Sequence, residues 1–332
     1  MNKILLNPGP TNTLYLVKET QTKFSDVCHR TEDFLSLLDD TKRLLLSLFG
    51  NGRDMSEWNV SIFGGSGTAA MESLISSLID EVTIIVAGKY GQRAVDIMSV
   101  YDIPNSVIKC SNIQQLQPSE QIKKLYFVEN ETTTGEKFDL KKISTLFPNS
   151  RLYIDATSSF GASEYQQFMD KIDALSFCSN KCLQSTPGLG IVLWRKNLKV
   201  YKRNYYLNLN KYVNKLPFTV PVQSIAALNS ALLSNNVLNN KELFDRRSNK
   251  LIKDLSVIGI ECINTNPCNS IIGFRHPTMN YECLKNFLFK KDIVIYDGID
   301  GVENSFRVST MSTLFDVKYS YIMRCFYDSC LS

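Results

Sequence analysis

SFCSNKCLQSTPGLGIVLW, residues 176–194, sets one lysine, Lys181, between two apolar runs. The upstream run is Asp173-Ala-Leu-Ser-Phe-Cys178 and the downstream run is Gly190-Ile-Val-Leu-Trp194. Short apolar stretches of this kind, bounded by Ser, Asn, Pro and Gly, predict two core strands. The amine at their junction is either an ordinary solvated turn residue or a group kept for chemistry. The rest of the chain has to separate these.

Further strand-like runs lie at VSIFG (60–64), TIIVA (83–87), KLYFVEN (124–130) and RLYIDA (151–156). Helical spacing fills the gaps at SGTAAMESLISSLI (66–79), YGQRAVDIMSVY (90–101) and LKKISTLF (140–147). This alternation predicts an α/β fold, a mostly parallel sheet covered by helices. Two long helices are predicted over 221–238 and 241–259. The pattern then resumes on a smaller scale through SIIGFR, YECLKNFLFKK, IVIYDG, SFRVST and a closing LFDVKYSYIMRCFYDSCL. We expect a large domain over 1–238, including the N-terminal segment, and a small C-terminal α+β domain over 239–332.

Composition narrows the function classes. Hydrophobic residues make up 44% and charged residues 21% of the 332, as in ordinary soluble globular proteins. A net charge of +4 spread along the chain gives no reason to invoke nucleic acid or a membrane surface as partner. The nine cysteines form no C-x-x-C pair, so reduced thiols are expected rather than a disulfide framework. The apolar run in MNKILLNPGP is too short for a signal peptide core or a membrane span. The expected location is cytoplasmic. With only His29 and His276, histidine-based metal sites are disfavoured, and no metal is expected.

Three constellations carry chemistry. In GGSGTAAMES (64–73), Gly64, Gly65 and Gly67 precede a helix, with Ser66 and Thr68 among them. Unpaired N–H groups at a helix start, with two hydroxyls, make a phosphate cradle, although Gly-Ser-Gly turns also occur with no ligand. Asp155 ends a predicted strand, so it falls at the carboxyl edge of a parallel sheet, where α/β proteins bind ligands; a helix cap is the plainer alternative. Lys181 ends the next strand run, 26 positions on (181 − 155). A half-buried lysine is partly deprotonated and nucleophilic. Phosphate cradle, carboxylate and amine together match pyridoxal 5′-phosphate, which carries a phosphate, a basic ring nitrogen and an aldehyde.

The sequence resembles the class V (fold type I) pyridoxal-phosphate aminotransferases over nearly its whole length. The resemblance rests on LLNPGP (5–10), GGSGTAAMES, GKYGQRAVDI (88–97), ETTTGE (131–136), DATSSFGA (155–162), SNKCLQSTPGLG (179–190), LPFTVPVQS (216–224), IVIYDG (293–298) and SFRVS (305–309). Within that family the strings are most similar to the branch that transfers an amino group between 2-aminoethylphosphonate and pyruvate. The alanine–glyoxylate and serine–pyruvate aminotransferases are more distant, and a catalytically idle binding protein of the same fold is a further alternative.

The resemblance implies roles. Lys181 would hold the cofactor covalently and carry a proton, and Asp155 would pair with the ring nitrogen. Ser66, Gly67, Thr68 and Asn180 would hold the phosphate, with Thr219 reaching it from the partner subunit of a homodimer. Tyr90 would stack on the ring and Thr133 would lie near its oxygen. Arg307 would clamp a substrate carboxylate. His29 and Arg30 border the active site in relatives and are candidates for the phosphonate. Three departures stand out: Glu129 where the family often has His, Thr157 where it usually has Met, and Arg307-Val308-Ser309 for Arg-Ile-Gly.

Overall fold

The computed structural model describes residues 3–213, 216–234 and 240–331. It opens with a short strand, β1 (Ile4–Leu5), and two helices, α1 (Tyr15–Lys23) and α2 (Glu32–Gly50). Alternation follows through β2 (Trp58–Gly64), α3 (Gly67–Leu78), β3 (Val82–Val86), α4 (Lys89–Val100), β4 (Asn105–Lys109) and β5 (Lys124–Val128). A small hairpin of β6 (Asn130–Glu131) and β7 (Glu136–Lys137) leads to α5 (Leu140–Leu146), β8 (Arg151–Asp155), β9 (Ile172–Cys178) and β10 (Leu189–Arg195).

Seven strands form one sheet in the order β2-β10-β9-β8-β5-β3-β4. The pairs from β9 through to β4 are parallel, while β10 runs against both β9 and β2. The reversal follows from chain length. A parallel return needs a crossover of a dozen or more residues, and the turn between Cys178 and Leu189 is shorter than that. Every residue of β9 is buried, and β10 is buried along all but its last. Strands covered on both faces need apolar residues on both, which is why they appear as runs rather than alternations. Because β2 is again parallel to the rest, Gly64, Val86, Val128, Asp155 and Cys178 all end strands at one edge of the sheet.

After α6 (Val222–Leu233), which packs on α1 and α2, comes α7 (Asn240–Ser256). The remainder comprises β11 (Glu261–Cys262), β12 (Ile271–Arg275), α8 (Tyr281–Lys290), β13 (Ile293–Val294), β14 (Tyr296–Asp297), β15 (Ser305–Ser309) and α9 (Phe315–Leu331). Here an antiparallel sheet of order β11-β12-β15-β14 supports a second core containing Leu251, Phe274, Phe306 and Phe326. Ile4 and Leu6 join this core, because β1 pairs with β13. The start of the chain, grouped with the large domain from sequence, therefore contributes to the C-terminal layer. The division expected between 238 and 239, and the end of the helix expected over 221–238, lie outside the described residues.

Two side-chain amide bonds tie the C-terminal half to the turn that carries Lys181. The Gln184 amide donates to the Met311 carbonyl at 2.6 Å, and the Asn240 amide donates to the Cys182 carbonyl at 2.7 Å. All nine cysteines are free thiols. Among the described residues, no helix is long and apolar enough to cross a membrane.

Candidate active site

At the carboxyl edge of the large sheet, one cavity gathers residues from widely separated parts of the chain. Ser66, Gly67 and Thr68 come from the start of α3, Tyr90 and Arg93 from α4, and Asp155 from the end of β8. Asn180 and Lys181 come from the turn after β9, and Gly9 and Pro10 from the N-terminal segment. Parallel strands put their carboxyl ends and the following helix starts on the same side, so topology alone brings these groups together.

The start of α3 is an open anion site. Ser66 is its N-cap, and its hydroxyl accepts from the Ala69 N–H at 3.4 Å, while other first-turn N–H groups have no helical acceptor. The Thr68 hydroxyl accepts from Nη1 of Arg93 at 2.9 Å. That guanidinium also lies 4.9 Å from the centroid of the Tyr90 ring, so helix α4 presents an aromatic face and a cation side by side.

Asp155 is buried, and burial pushes its carboxyl up to about 6 against the pull of two hydrogen bonds from Thr157. Both bonds end on Oδ1: the Thr157 N–H donates at 2.9 Å and the Thr157 hydroxyl at 2.5 Å. Oδ2 has no protein donor among the described residues.

Lys181 points its amine back across the cavity, where Nζ donates to the Pro8 carbonyl at 2.5 Å. Burial lowers this amine below its ordinary value, and Arg307 pushes in the same direction, while Cys178, Cys182 and Asp155 oppose. The aliphatic stem of the lysine lies directly on Gly9. An added Cβ there would sit 2.7 Å from Nζ and 2.8 Å from Cδ, at a φ of +139° that side chains rarely adopt. Gly9→Ala is therefore expected to destabilise the protein by about 1–3 kcal/mol in denaturant unfolding, through overpacking and backbone strain. A midpoint equal to that of the unsubstituted protein would remove the close contact from the account.

Seven residues picked out from sequence thus line the cavity: Ser66, Gly67, Thr68, Tyr90, Asp155, Asn180 and Lys181. The others do not. Thr133 is buried beside it, and its hydroxyl donates to Oε1 of Glu131 at 2.6 Å and accepts from the Lys89 N–H at 3.0 Å. Glu131 in turn accepts from the N–H groups of Tyr90 and Gly91, so this pair anchors the start of α4. Arg307, buried on β15, donates from Nε to the Asp297 carbonyl and from Nη1 to the Thr132 carbonyl. Thr219 is exposed in the single chain. His29 is half-buried and Arg30 exposed in the loop between α1 and α2, and neither lines the cavity. The unusual Glu129 faces elsewhere and accepts from the Tyr165 hydroxyl at 2.7 Å.

Four residues escaped the sequence reading as contributors. Arg93 lies one helical turn beyond Tyr90, a spacing that puts both on one face. Pro8 and Gly9 stood inside the string LLNPGP, which carried the resemblance but pointed to no contact. Thr157 stood out only as a departure.

No family model matches the chain. It is similar to a 2-aminoethylphosphonate–pyruvate transaminase of Bacteroides fragilis, at 26% identity over 93% of each chain. It is also similar to an uncharacterized aminotransferase of Methanocaldococcus jannaschii, 31% identical over 290 residues, which span 79% of this chain and 74% of that one. Among solved structures, an aspartate aminotransferase from Thermus thermophilus superposes with a TM-score of 0.87, at 22% identity, over 98% of this chain and 99% of that one. Identity and coverage on the sequence side, with a shared fold on the structural side, lead to one assignment. The chain belongs to the class V, fold type I aminotransferases.

Proposed function

We propose that this aminotransferase uses pyridoxal 5′-phosphate to interconvert 2-aminoethylphosphonate plus pyruvate with phosphonoacetaldehyde plus L-alanine. The observation that carries the proposal is the placing of Lys181 and Asp155 in one cavity with the open start of α3. The residues fit the cofactor group by group. First-turn N–H groups and the Ser66 and Thr68 hydroxyls suit a phosphate, Oδ2 of Asp155 suits a protonated ring nitrogen, and a buried amine suits an aldehyde. When bound, the cofactor supplies an electron-accepting ring and a carbonyl that takes up the amino group.

The chain supplies everything else. Burial lowers the Lys181 amine and so favours its neutral form, in which Nζ is able to bond carbon and to accept and return a proton. The ionised Asp155 carboxylate holds positive charge on the ring side of the cavity. Tyr90 covers one face and excludes water. Asn180 adds a polar contact beside the lysine. Arg307 has two of its N–H groups fixed on main-chain carbonyls, which orients the guanidinium and leaves Nη2 for a substrate carboxylate. The reading includes a homodimer, with the exposed Thr219 available to a partner subunit's phosphate.

The choice of amine is supported by the Bacteroides fragilis relative named above. The test is turnover of the purified protein with each amine, supplied with pyruvate or glyoxylate. Alanine formed from 2-aminoethylphosphonate and pyruvate is the expected result. Use of glyoxylate with no reaction of the phosphonate would move the assignment to the alanine–glyoxylate type. No turnover with any pair, and no visible absorbance with added cofactor, would leave a binding protein.

A further inference from the structure

We infer that Thr157 is a positioning residue, whose hydroxyl holds Oδ1 of Asp155 so that the carboxyl stays ionised and its other oxygen stays free for a cationic ring nitrogen. The inference rests on the cofactor reading above and goes one residue beyond it.

Three observations carry it. The two bonds from Thr157, at 2.5 and 2.9 Å, fall on the same oxygen, so the carboxylate is held from one side only. Thr157 itself lines the cavity rather than standing behind the strand. It also sits close against the start of α3. An added Cβ at Gly67 would meet Thr157 Cγ2 at 2.9 Å and Oγ1 at 3.1 Å, so the side chain is pressed against the first residue of α3. The methyl packs on the helix start while the hydroxyl turns to Asp155. One residue therefore links the carboxylate to the phosphate end of the cavity, and only its hydroxyl is needed for the polar half of that link.

The physical consequence has a definite sign. A donor to a carboxylate stabilises its charged form, so removing one of two donors makes Asp155 hold a proton at higher pH. Other groups around it are Tyr126 on β5, Glu131 on β6, Tyr90 and Arg93 on α4, Cys178 on β9 and Lys181 in the turn. None of them donates to Oδ1 in place of Thr157, so the lost bond is not made good by a neighbour.

The experiment titrates apoprotein with pyridoxal phosphate between pH 5 and 8, following calorimetric heat and the visible absorbance of lysine-bound cofactor. Thr157→Val keeps the shape and the methyl contact with Gly67. It is expected to weaken cofactor binding at pH 7 by about tenfold and to raise the pH below which affinity falls by about one unit. Thr157→Ser restores the hydroxyl and is expected to bind within about twofold of the natural protein. If the valine protein does not fold, Thr157→Ala carries the same expectation. Equal midpoints for the natural and valine proteins would overturn the inference, as would a serine protein shifted as far as the valine one. Absence of lysine-bound absorbance in the natural protein would instead defeat the cofactor reading, and this inference with it.

Discussion

Lys181→Ala should lower transamination by roughly 10³–10⁴-fold and abolish the visible absorbance of lysine-bound cofactor. The size follows from two losses at one atom. Nζ is the only amine among the residues lining the cavity, and it is also the only candidate there for a neutral base of suitable strength. No histidine lines the cavity to take over the proton. The folded protein should tolerate the change. Folding lowers the pKa of this amine, so burying its charged form opposes folding at neutral pH, and alanine removes that opposition. The cost is the one bond from Nζ to the Pro8 carbonyl. A well-folded, inactive, colourless protein is the expected result, checked by steady-state turnover, absorbance and thermal unfolding together. A variant that retains turnover within tenfold of the natural protein would show that the proton is carried elsewhere.

Asp155→Asn should separate function from stability. The amide keeps an acceptor at Oδ1 for both bonds from Thr157, so the local fold has no reason to change. What disappears is the negative charge that a protonated ring nitrogen needs, and turnover should fall by roughly 10²–10³-fold. The apoprotein should nevertheless become more stable. Folding raises this carboxyl from 3.8 to about 6, so the folded chain holds the proton more tightly than the unfolded one. The resulting penalty is about 3 kcal/mol above pH 6, at roughly 1.4 kcal/mol for each of two units, and it fades to nothing below about pH 4. Denaturant unfolding of the two apoproteins should differ by up to that amount at pH 7 and converge near pH 4. A stability gap that does not change with pH would show that burial does not penalise the charged carboxyl.

Much of this site was legible because its chemistry sits on strand ends. The runs at 60–64, 83–87, 151–156 and 173–178 were apolar enough to be seen as buried strands, and the polar residues at or beyond their ends stood out by contrast. The C-terminal run IVIYDG showed as one strand but forms two, β13 and β14, because each pairs with a different partner. Strand β4 gave no signal, since it lies at the sheet edge with all of its residues exposed or half-buried. Helices α1 and α2 lie outside the alternating region and were not foreseen individually.

The harder losses are contacts between distant segments. Nothing in LLNPGP says that the Pro8 carbonyl meets an amine 173 positions away. The hydroxyls of Thr133 and Thr157 look alike in sequence, yet one braces the start of α4 and the other holds Asp155. Only the packing of β6 on α4 and the approach of Gly67, at the start of α3, to Thr157, just past β8, distinguish them.

The most direct measurement is borohydride reduction of the protein loaded with pyridoxal phosphate, followed by peptide mapping. The account predicts a single reduced pyridoxyl group, on Lys181 within the turn between β9 and β10. A label on any other lysine, or none at all, would contradict it.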